Sequence, residues 1–125
     1  MKIFINRILD KQIYFSTDYG EGRGIWKEDT EPFQKEYFVE FDISKLYSYK
    51  ELIISKTEEY KIGIYDNKIN LTLLLTGYDE YGCATFQFGN SIIEIETNYD
   101  NQILALIGKY IVILVENLDI YDENL

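Results

Sequence analysis

The sequence of 125 residues contains no histidine and a single cysteine, Cys83. Histidine is the commonest general base and metal ligand, so its absence removes every Ser-His and Cys-His nucleophile. One cysteine can form neither an intrachain disulfide nor a thiolate zinc site. We therefore predict no catalytic residues, no metal and no cofactor.

Proline and long apolar runs are also scarce. Pro32 is the only proline and 16% of the residues are aromatic, a composition that argues against disorder. Asn6, Arg7 and Asp10 interrupt the N-terminus before any stretch of signal-peptide length, and no run approaches the roughly 18 apolar residues of a membrane helix. We expect a cytoplasmic protein in which residues 1–125 form one domain.

Basic residues are scarce in the second half of the chain. The 12 Lys and Arg residues stand against 22 Asp and Glu, a formal net charge of −10. Residues 1–68 hold 11 bases and 13 acids, whereas residues 69–125 hold Lys109 alone against nine acids. Such a field repels nucleic acid and anionic membranes and attracts cationic proteins. We predict a basic protein partner, with no nucleic-acid or membrane partner; the alternative is a charge that only keeps the protein dispersed.

Short apolar or alternating runs separated by Gly, Asn and Asp dominate the sequence, as is typical of β-strands. The predicted class is mostly β, either all-β or α+β with one short helix, arranged as an antiparallel meander, a sandwich or a partly open barrel. Four hairpins are predicted: Lys2–Leu9 with Gln12–Thr17, Tyr60–Tyr65 with Ile69–Thr76, Cys83–Phe88 with Ser91–Thr97, and Gln102–Ile107 with Tyr110–Glu116. The last is apolar on both faces, so we expect it to be the most buried pair.

Three other segments have different patterns. Gln34–Asp42 alternates as a half-buried strand should, with Tyr37, Val39 and Phe41 on one face. Asp18–Gly24 is predicted to be a glycine-rich loop that matches neither the Walker nor the dinucleotide-binding spacing. Ser44–Lys56 is ambiguous: we predict a helix or irregular turn in its first half, with Ser44 as the cap, and a strand in its second.

Glu94 and Glu96 lie two residues apart on a predicted strand, so their side chains share one face at a separation of about 7 Å. Paired carboxylates can hydrolyse glycosides, which leaves an enzyme based on carboxylates alone as an alternative. Ile93 and Ile95 alternate with them, however. The pattern favours buried isoleucines and glutamates that face water.

Tyrosine stands beside an acid at several predicted turns. Tyrosine is enriched in binding hot spots, and neighbouring acids can pair with the lysines and arginines of a basic partner. A biased amino-acid usage, together with the common placement of tyrosine near strand ends, is the alternative explanation. The predicted partner interface consists of Tyr78, Asp79, Glu80, Tyr81, Glu94, Glu96, Tyr99 and Asp100.

Acid-rich segments such as Tyr78–Tyr81 and Glu94–Glu96, in a small acidic chain, resemble the immunity proteins of bacterial polymorphic toxin and contact-dependent growth inhibition systems. The resemblance lies in the general character of the chain. It implies a non-catalytic antitoxin that binds and neutralises a basic toxin or nuclease domain. Three alternatives are a phage-encoded inhibitor of a host defence complex, of the anti-CRISPR kind, a β-barrel that binds a small ligand, and a structural or assembly component.

Overall fold

The computed structural model describes residues 1–124 of the protein. Strands account for 56% of the chain and helices for 7%, which confirms the predicted mostly β class. The strands are β1 (Lys2–Leu9), β2 (Gln12–Thr17), β3 (Gly20–Trp26), β4 (Glu36–Asp42), β5 (Ile53–Ile54), β6 (Lys61–Tyr65), β7 (Lys68–Tyr78), β8 (Cys83–Phe88), β9 (Ser91–Glu96), β10 (Tyr110–Val115) and β11 (Asp119–Asp122). The helices are two short 3₁₀ segments, Tyr49–Glu51 and Asn101–Leu106.

Five of these strands close into a small barrel. β1, β2 and β3 form an antiparallel meander, and β4 returns beside β1 to give the order 4-1-2-3 of a Greek key. β11 then pairs with both β4 and β3 and closes the barrel. The side chains of Ile3, Ile13, Phe15, Val39 and Ile120 are fully buried. Because five strands enclose a narrower interior than the eight of ligand-binding barrels, side chains occupy the place where such a ligand would lie.

The glycine-rich segment predicted as a loop is instead the barrel strand β3. Gly22 and Gly24 are buried. A methyl group on Gly22 would lie 2.5 Å from Cδ1 of Ile62, and one on Gly24 would lie 2.6 Å from Cδ1 of Ile120. The prediction for Asp18–Gly24 was wrong because these glycines mark a close approach between strands rather than a turn.

The remaining strands form a sheet that is continuous with the barrel. β6 joins β3 through a parallel pairing of Gly20 with Ile62. β7 is the longest strand and pairs with β6, β8 and β10, while β5 and β9 extend the sheet from β10 and β8. Ile69, Leu71 and Leu73 of β7 are fully buried and belong to the same core as the barrel residues. The parallel pairings of β3 with β6 and with β11 depart from the predicted antiparallel arrangement.

Three of the four predicted hairpins are present, namely β1–β2, β6–β7 and β8–β9. Asp66 and Asn67 connect β6 to β7 with φ angles of 50° and 61°, as a two-residue type I′ turn requires. Both residue types tolerate the left-handed region better than most side chains do. Local turn chemistry therefore determines these three pairings.

The fourth predicted hairpin is absent, because Gln102–Ile107 forms a 3₁₀ helix over most of its length rather than a strand. The Asp100 carboxylate caps this helix by accepting a hydrogen bond from the backbone N–H of Gln102 at 2.9 Å. Ile103 and Leu106, three residues apart, are its buried side chains. β10 pairs with β7 and β5 instead.

The two other segments agree in part with expectation. β4 lies within the predicted strand Gln34–Asp42, and its three predicted core residues are buried. Ser44–Lys56 is mostly irregular in its first half, with the 3₁₀ turn at Tyr49–Glu51, and contains the two-residue strand β5 in its second. The turn is capped by Ser48 rather than by the predicted Ser44, because the Glu51 carboxylate accepts a hydrogen bond from the Ser48 backbone N–H at 3.0 Å.

A candidate protein-binding surface

The fold brings the eight predicted interface residues to one end of the β7–β8–β9 sheet. In the β8–β9 ladder Cys83 lies opposite Glu96 and Thr85 opposite Glu94. The carbonyl of Gly82 accepts a hydrogen bond from the Thr97 backbone N–H at 2.8 Å, which ties the β7–β8 turn to the end of β9. Glu94 and Glu96 lie on the same side of the sheet as Cys83, whereas Tyr78, opposite the buried Ala84, lies on the other side with Tyr99 stacked on it. We call this end of the sheet the acidic face; it consists of Tyr78, Asp79, Glu80, Tyr81, Glu94, Glu96, Tyr99 and Asp100.

The three tyrosines of the acidic face differ in what they can contact. Tyr78 is half-buried, hydrogen-bonds Oγ1 of Thr97 at 2.7 Å and accepts from the backbone N–H of Asp100 at 3.1 Å. Its ring stacks on Tyr99 with 5.4 Å between centroids. Tyr81 is 84% exposed and Tyr99 52% exposed. Tyr78 therefore supports the surface, whereas Tyr81 and Tyr99 are open to a partner.

The carboxylates of the acidic face lack basic counterparts. Asp79 accepts hydrogen bonds from the backbone N–H groups of Tyr81 and Cys83, both at 2.9 Å, and so shapes the turn. Glu94 and Glu96 face solvent, while the intervening isoleucines are buried, as predicted. The salt bridges found in residues 1–124 involve the amino group of Met1 and the side chains of two lysines, paired with acids on other surfaces. The negative charge of this face is therefore uncompensated.

The Cys83 thiol lies among these carboxylates, and their negative charges affect its pKa. Its Sγ lies 3.9 Å from Oε2 of Glu94. Burial raises the pKa of the thiol, and the negative charges of Glu94, Asp79 and Glu96 raise it further. Because the thiolate is the reactive form, Cys83 is a weak nucleophile and a natural probe of the potential on the acidic face.

Replacing Glu94 by glutamine is expected to lower the pKa of the Cys83 thiol and to raise its alkylation rate by iodoacetamide at a fixed pH. The change removes the nearest of the three charges that disfavour the thiolate. Glu116→Gln removes one charge beyond the end of β10 and serves as the matched control. Mass spectrometry of the labelling time course measures both rates, and equal rates in the two variants would contradict the assigned field.

A concave surface, which sequence reasoning did not find, lies at the junction of β3 and β6. This tyrosine groove has a volume of about 800 Å³. Two of its tyrosines, Tyr19 and Tyr65, stand beside an acid in the sequence, but no local pattern groups residues so distant in the chain. The groove is lined by Asp18, Tyr19, Glu58, Glu59, Tyr60, Lys61, Ile62, Gly63, Tyr65, Asn70, Thr72 and Tyr110.

A second concave surface, at β5 and the outer side of β10, is positively charged, in contrast to the tyrosine groove. This lysine groove, of about 620 Å³, has exposed aliphatic side chains on its floor, such as Ile53 and Leu114. Four of the twelve basic residues of the chain line it: Lys45, Lys50, Lys56 and Lys68. Basic residues of the first half of the chain therefore gather at this groove, whereas the acidic face is formed by the second half.

Comparison with known proteins assigns no relative to this chain: no family model, curated protein or solved structure matches it. Two further properties concern residues 1–124. None of the helices there is long and apolar enough to cross a membrane. That part of the chain also contains no group of three or more acidic or cysteine side chains placed to hold a metal ion.

Proposed function

We propose that this protein is a non-catalytic inhibitor that binds and neutralises a basic toxin or nuclease domain through its acidic face. The observation that carries the proposal is the concentration of five carboxylates, none of them in a salt bridge within residues 1–124, beside two exposed tyrosines. An enzyme that acts on nucleic acid presents a positively charged channel to phosphates. A rigid surface of carboxylates can compete for such a channel.

The two kinds of side chain have separate tasks in this proposal. The carboxylates steer the encounter, since complementary fields raise association rates well above those of neutral surfaces. Tyr81 and Tyr99 supply contact area at low entropic cost, because a tyrosine has only two main side-chain torsions to fix. A phage inhibitor of a host defence complex would use the same face, since that target also contains a basic nucleic-acid channel.

Co-expression with the C-terminal domain encoded by the neighbouring open reading frame tests the proposal. We expect growth rescue of a sensitive host and a stoichiometric complex whose affinity falls as the salt concentration rises. Persistent toxicity without a complex would contradict the toxin-inhibitor function and leave the host-defence target as the next one to test.

Charge reversal of Glu94 and Glu96 to lysine should slow association with that domain by about tenfold and flatten its dependence on salt. The matched control is Asp29→Lys with Glu31→Lys, which changes the net charge equally in the β3–β4 loop and preserves the two-residue spacing. Stopped-flow association rates over a range of salt concentrations measure the effect. Equal slowing by both pairs would mean that overall charge, rather than the acidic face, steers binding.

A further inference from the structure

We propose that the tyrosine groove is a binding site for the guanidinium or ammonium group of an arginine or lysine side chain. The inference deepens the proposed function, on which it rests for the idea that the partner is basic. The site itself is defined by three features, namely aromatic walls, a floor with side-chain oxygens that can accept hydrogen bonds and an acidic rim, and each of them favours a cation.

The walls are tyrosine rings packed edge to face. The ring of Tyr60 lies 5.4 Å from that of Tyr19 and 5.5 Å from that of Tyr110, measured between centroids. Burial raises the pKa of Tyr60, and the neighbouring phenols of Tyr110 and Tyr19 raise it further, so this phenol keeps its proton to a higher pH than a free tyrosine does. The negative face of a neutral aromatic ring attracts a cation placed over it.

The fourth tyrosine of the groove, Tyr65, is the most accessible of them. It is 68% exposed and extends over Gly63, where an added methyl group would lie 2.7 Å from its Cε2 atom. Glycine at this strand position therefore leaves room for the ring to lie along the sheet. A ring held in this way offers an entering side chain one open face at little entropic cost.

The floor contains two polar side chains, Thr72 and Asn70. Thr72 is only 5% exposed and Asn70 is half-buried, but no buried polar side-chain atom of residues 1–124 is left without a hydrogen-bond partner. The side-chain oxygens of these two residues can accept hydrogen bonds from a ligand in the groove, and a bond from a charged donor is worth more than one between neutral groups. A guanidinium group has five such donors and no acceptor.

The rim determines the sign of the ligand's charge. Asp18, Glu58 and Glu59 line the groove against a single base, Lys61. All three acids are exposed, and none of them forms a salt bridge in the described chain. Hydrogen bonds between ionised partners are stronger than those between neutral ones. A positively charged side chain is therefore favoured over a neutral one of the same shape.

The groove and the acidic face can belong to one interface. Tyr110 of the groove lies opposite Leu74 of β7, and Leu74 lies opposite Gln87 of β8, whose side chain shares one side of the sheet with Cys83. Four steps along β8 separate Gln87 from Cys83, a span of roughly 13 Å. A typical interface buries about 800 Å² on each partner, which corresponds to a patch wide enough for both sites. We therefore place the groove as the anchor for a basic side chain of the same partner.

Titration of the whole protein with Nα-acetyl-arginine amide, followed by ¹H–¹⁵N NMR, tests the site. Nα-acetyl-citrulline amide is the matched neutral probe, since citrulline has nearly the shape of arginine without its charge. We expect the arginine probe to shift the backbone amides of Gly63 and Thr72 and to bind at least about tenfold more tightly than the citrulline probe. Equal binding of the two probes, or shifts confined to other surfaces, would overturn the inference.

Two conservative variants probe the floor and the rim without disturbing the packed tyrosines. Thr72→Val preserves side-chain shape and should weaken arginine binding about fivefold, as should Glu59→Gln. Glu31→Gln, in the β3–β4 loop, is the matched control and should leave this affinity unchanged. If arginine binds as expected while the toxin domain forms no complex, the site stands and the proposed function fails. If the complex forms but arginine does not bind here, only the groove inference fails.

Discussion

Replacing Gly82 with alanine should lower the free energy of unfolding by about 3 kcal/mol. Gly82 connects β7 to β8 with a φ angle of +88°, and an added methyl group would lie 2.4 Å from the carbonyl oxygen of Thr97. That oxygen belongs to the backbone and cannot rotate away. The turn must therefore shift, which would weaken the hydrogen bonds that Gly82 accepts from the backbone N–H of Thr97 at 2.8 Å and from its Oγ1 at 2.7 Å.

Gly108→Ala is the matched control for this prediction. Gly108 has nearly the same φ angle, +89°, but a methyl group there would meet nothing within 4 Å. Gly108→Ala should lower the free energy of unfolding only by the cost of holding an alanine at a positive φ angle, about 1 kcal/mol. Urea denaturation followed by circular dichroism gives both values. If the two variants lose the same stability, contact with Thr97 does not hold the β7–β8 turn against β9, and the acidic face is assembled in some other way.

Sequence reasoning identified the parts of the fold that short-range chemistry determines. The Asp66-Asn67 turn and the alternation in β4 could be read locally, because each depends on residues a few positions apart. Closure of the barrel could not be read in this way. It depends on the parallel pairing of Asp119 with Ile25, and no local pattern selects one distant strand partner over another.

The two errors of assignment have physical causes of the same kind. The sequence alone does not distinguish a glycine in a strand from a glycine in a loop. The side chains packed against Gly22 and Gly24 in the structure do distinguish them. The apolar run Gln102–Ile107 has no clear period, so it fits a buried strand as well as two turns of 3₁₀ helix. The cap supplied by Asp100 was visible in the sequence and could have indicated the helix.

The candidate surfaces divide in the same way. The residues of the acidic face could be grouped from the sequence because they lie near the ends of strands that are also neighbours in sequence, and their role in binding stays a prediction. The tyrosine groove combines Tyr19 with Tyr60 and Tyr110, which the parallel β3–β6 pairing brings together. The lysine groove could not be seen in the net charge of each half of the chain. Its four lysines all belong to the first half, where acids and bases nearly cancel.

Titration of Tyr47 should make the protein markedly less stable in alkali. The ring is almost fully buried, and its hydroxyl donates a hydrogen bond to the carbonyl of Leu114 at 2.6 Å. Burial, followed by the charges of Glu51 and Glu116, raises the pKa of Tyr47 from 10.0 to about 12. The folded protein thus holds this proton more tightly than the unfolded chain does.

The sign of the effect follows from proton linkage. Below pH 10 the phenol is protonated in both states, so its full contribution to stability is present. Between pH 10 and about 12 the unfolded chain loses the proton first, and the free energy of unfolding should fall by about 1.4 kcal/mol per pH unit, or about 2.7 kcal/mol in total. Urea denaturation at a series of pH values from about 9 to 11.5 measures the slope.

Tyr47→Phe separates this effect from the titration of other groups. The variant should lose about 1 kcal/mol at neutral pH, because the hydrogen bond to Leu114 is absent, and should respond less steeply to alkali. The difference between the two stability curves isolates the phenol, since every other tyrosine and lysine is common to both proteins. Curves that stay parallel above pH 10 would show that burial does not hold the proton on Tyr47. Convergence of the curves would show that this hydroxyl fastens the segment before β5 to the edge of β10, next to the lysine groove.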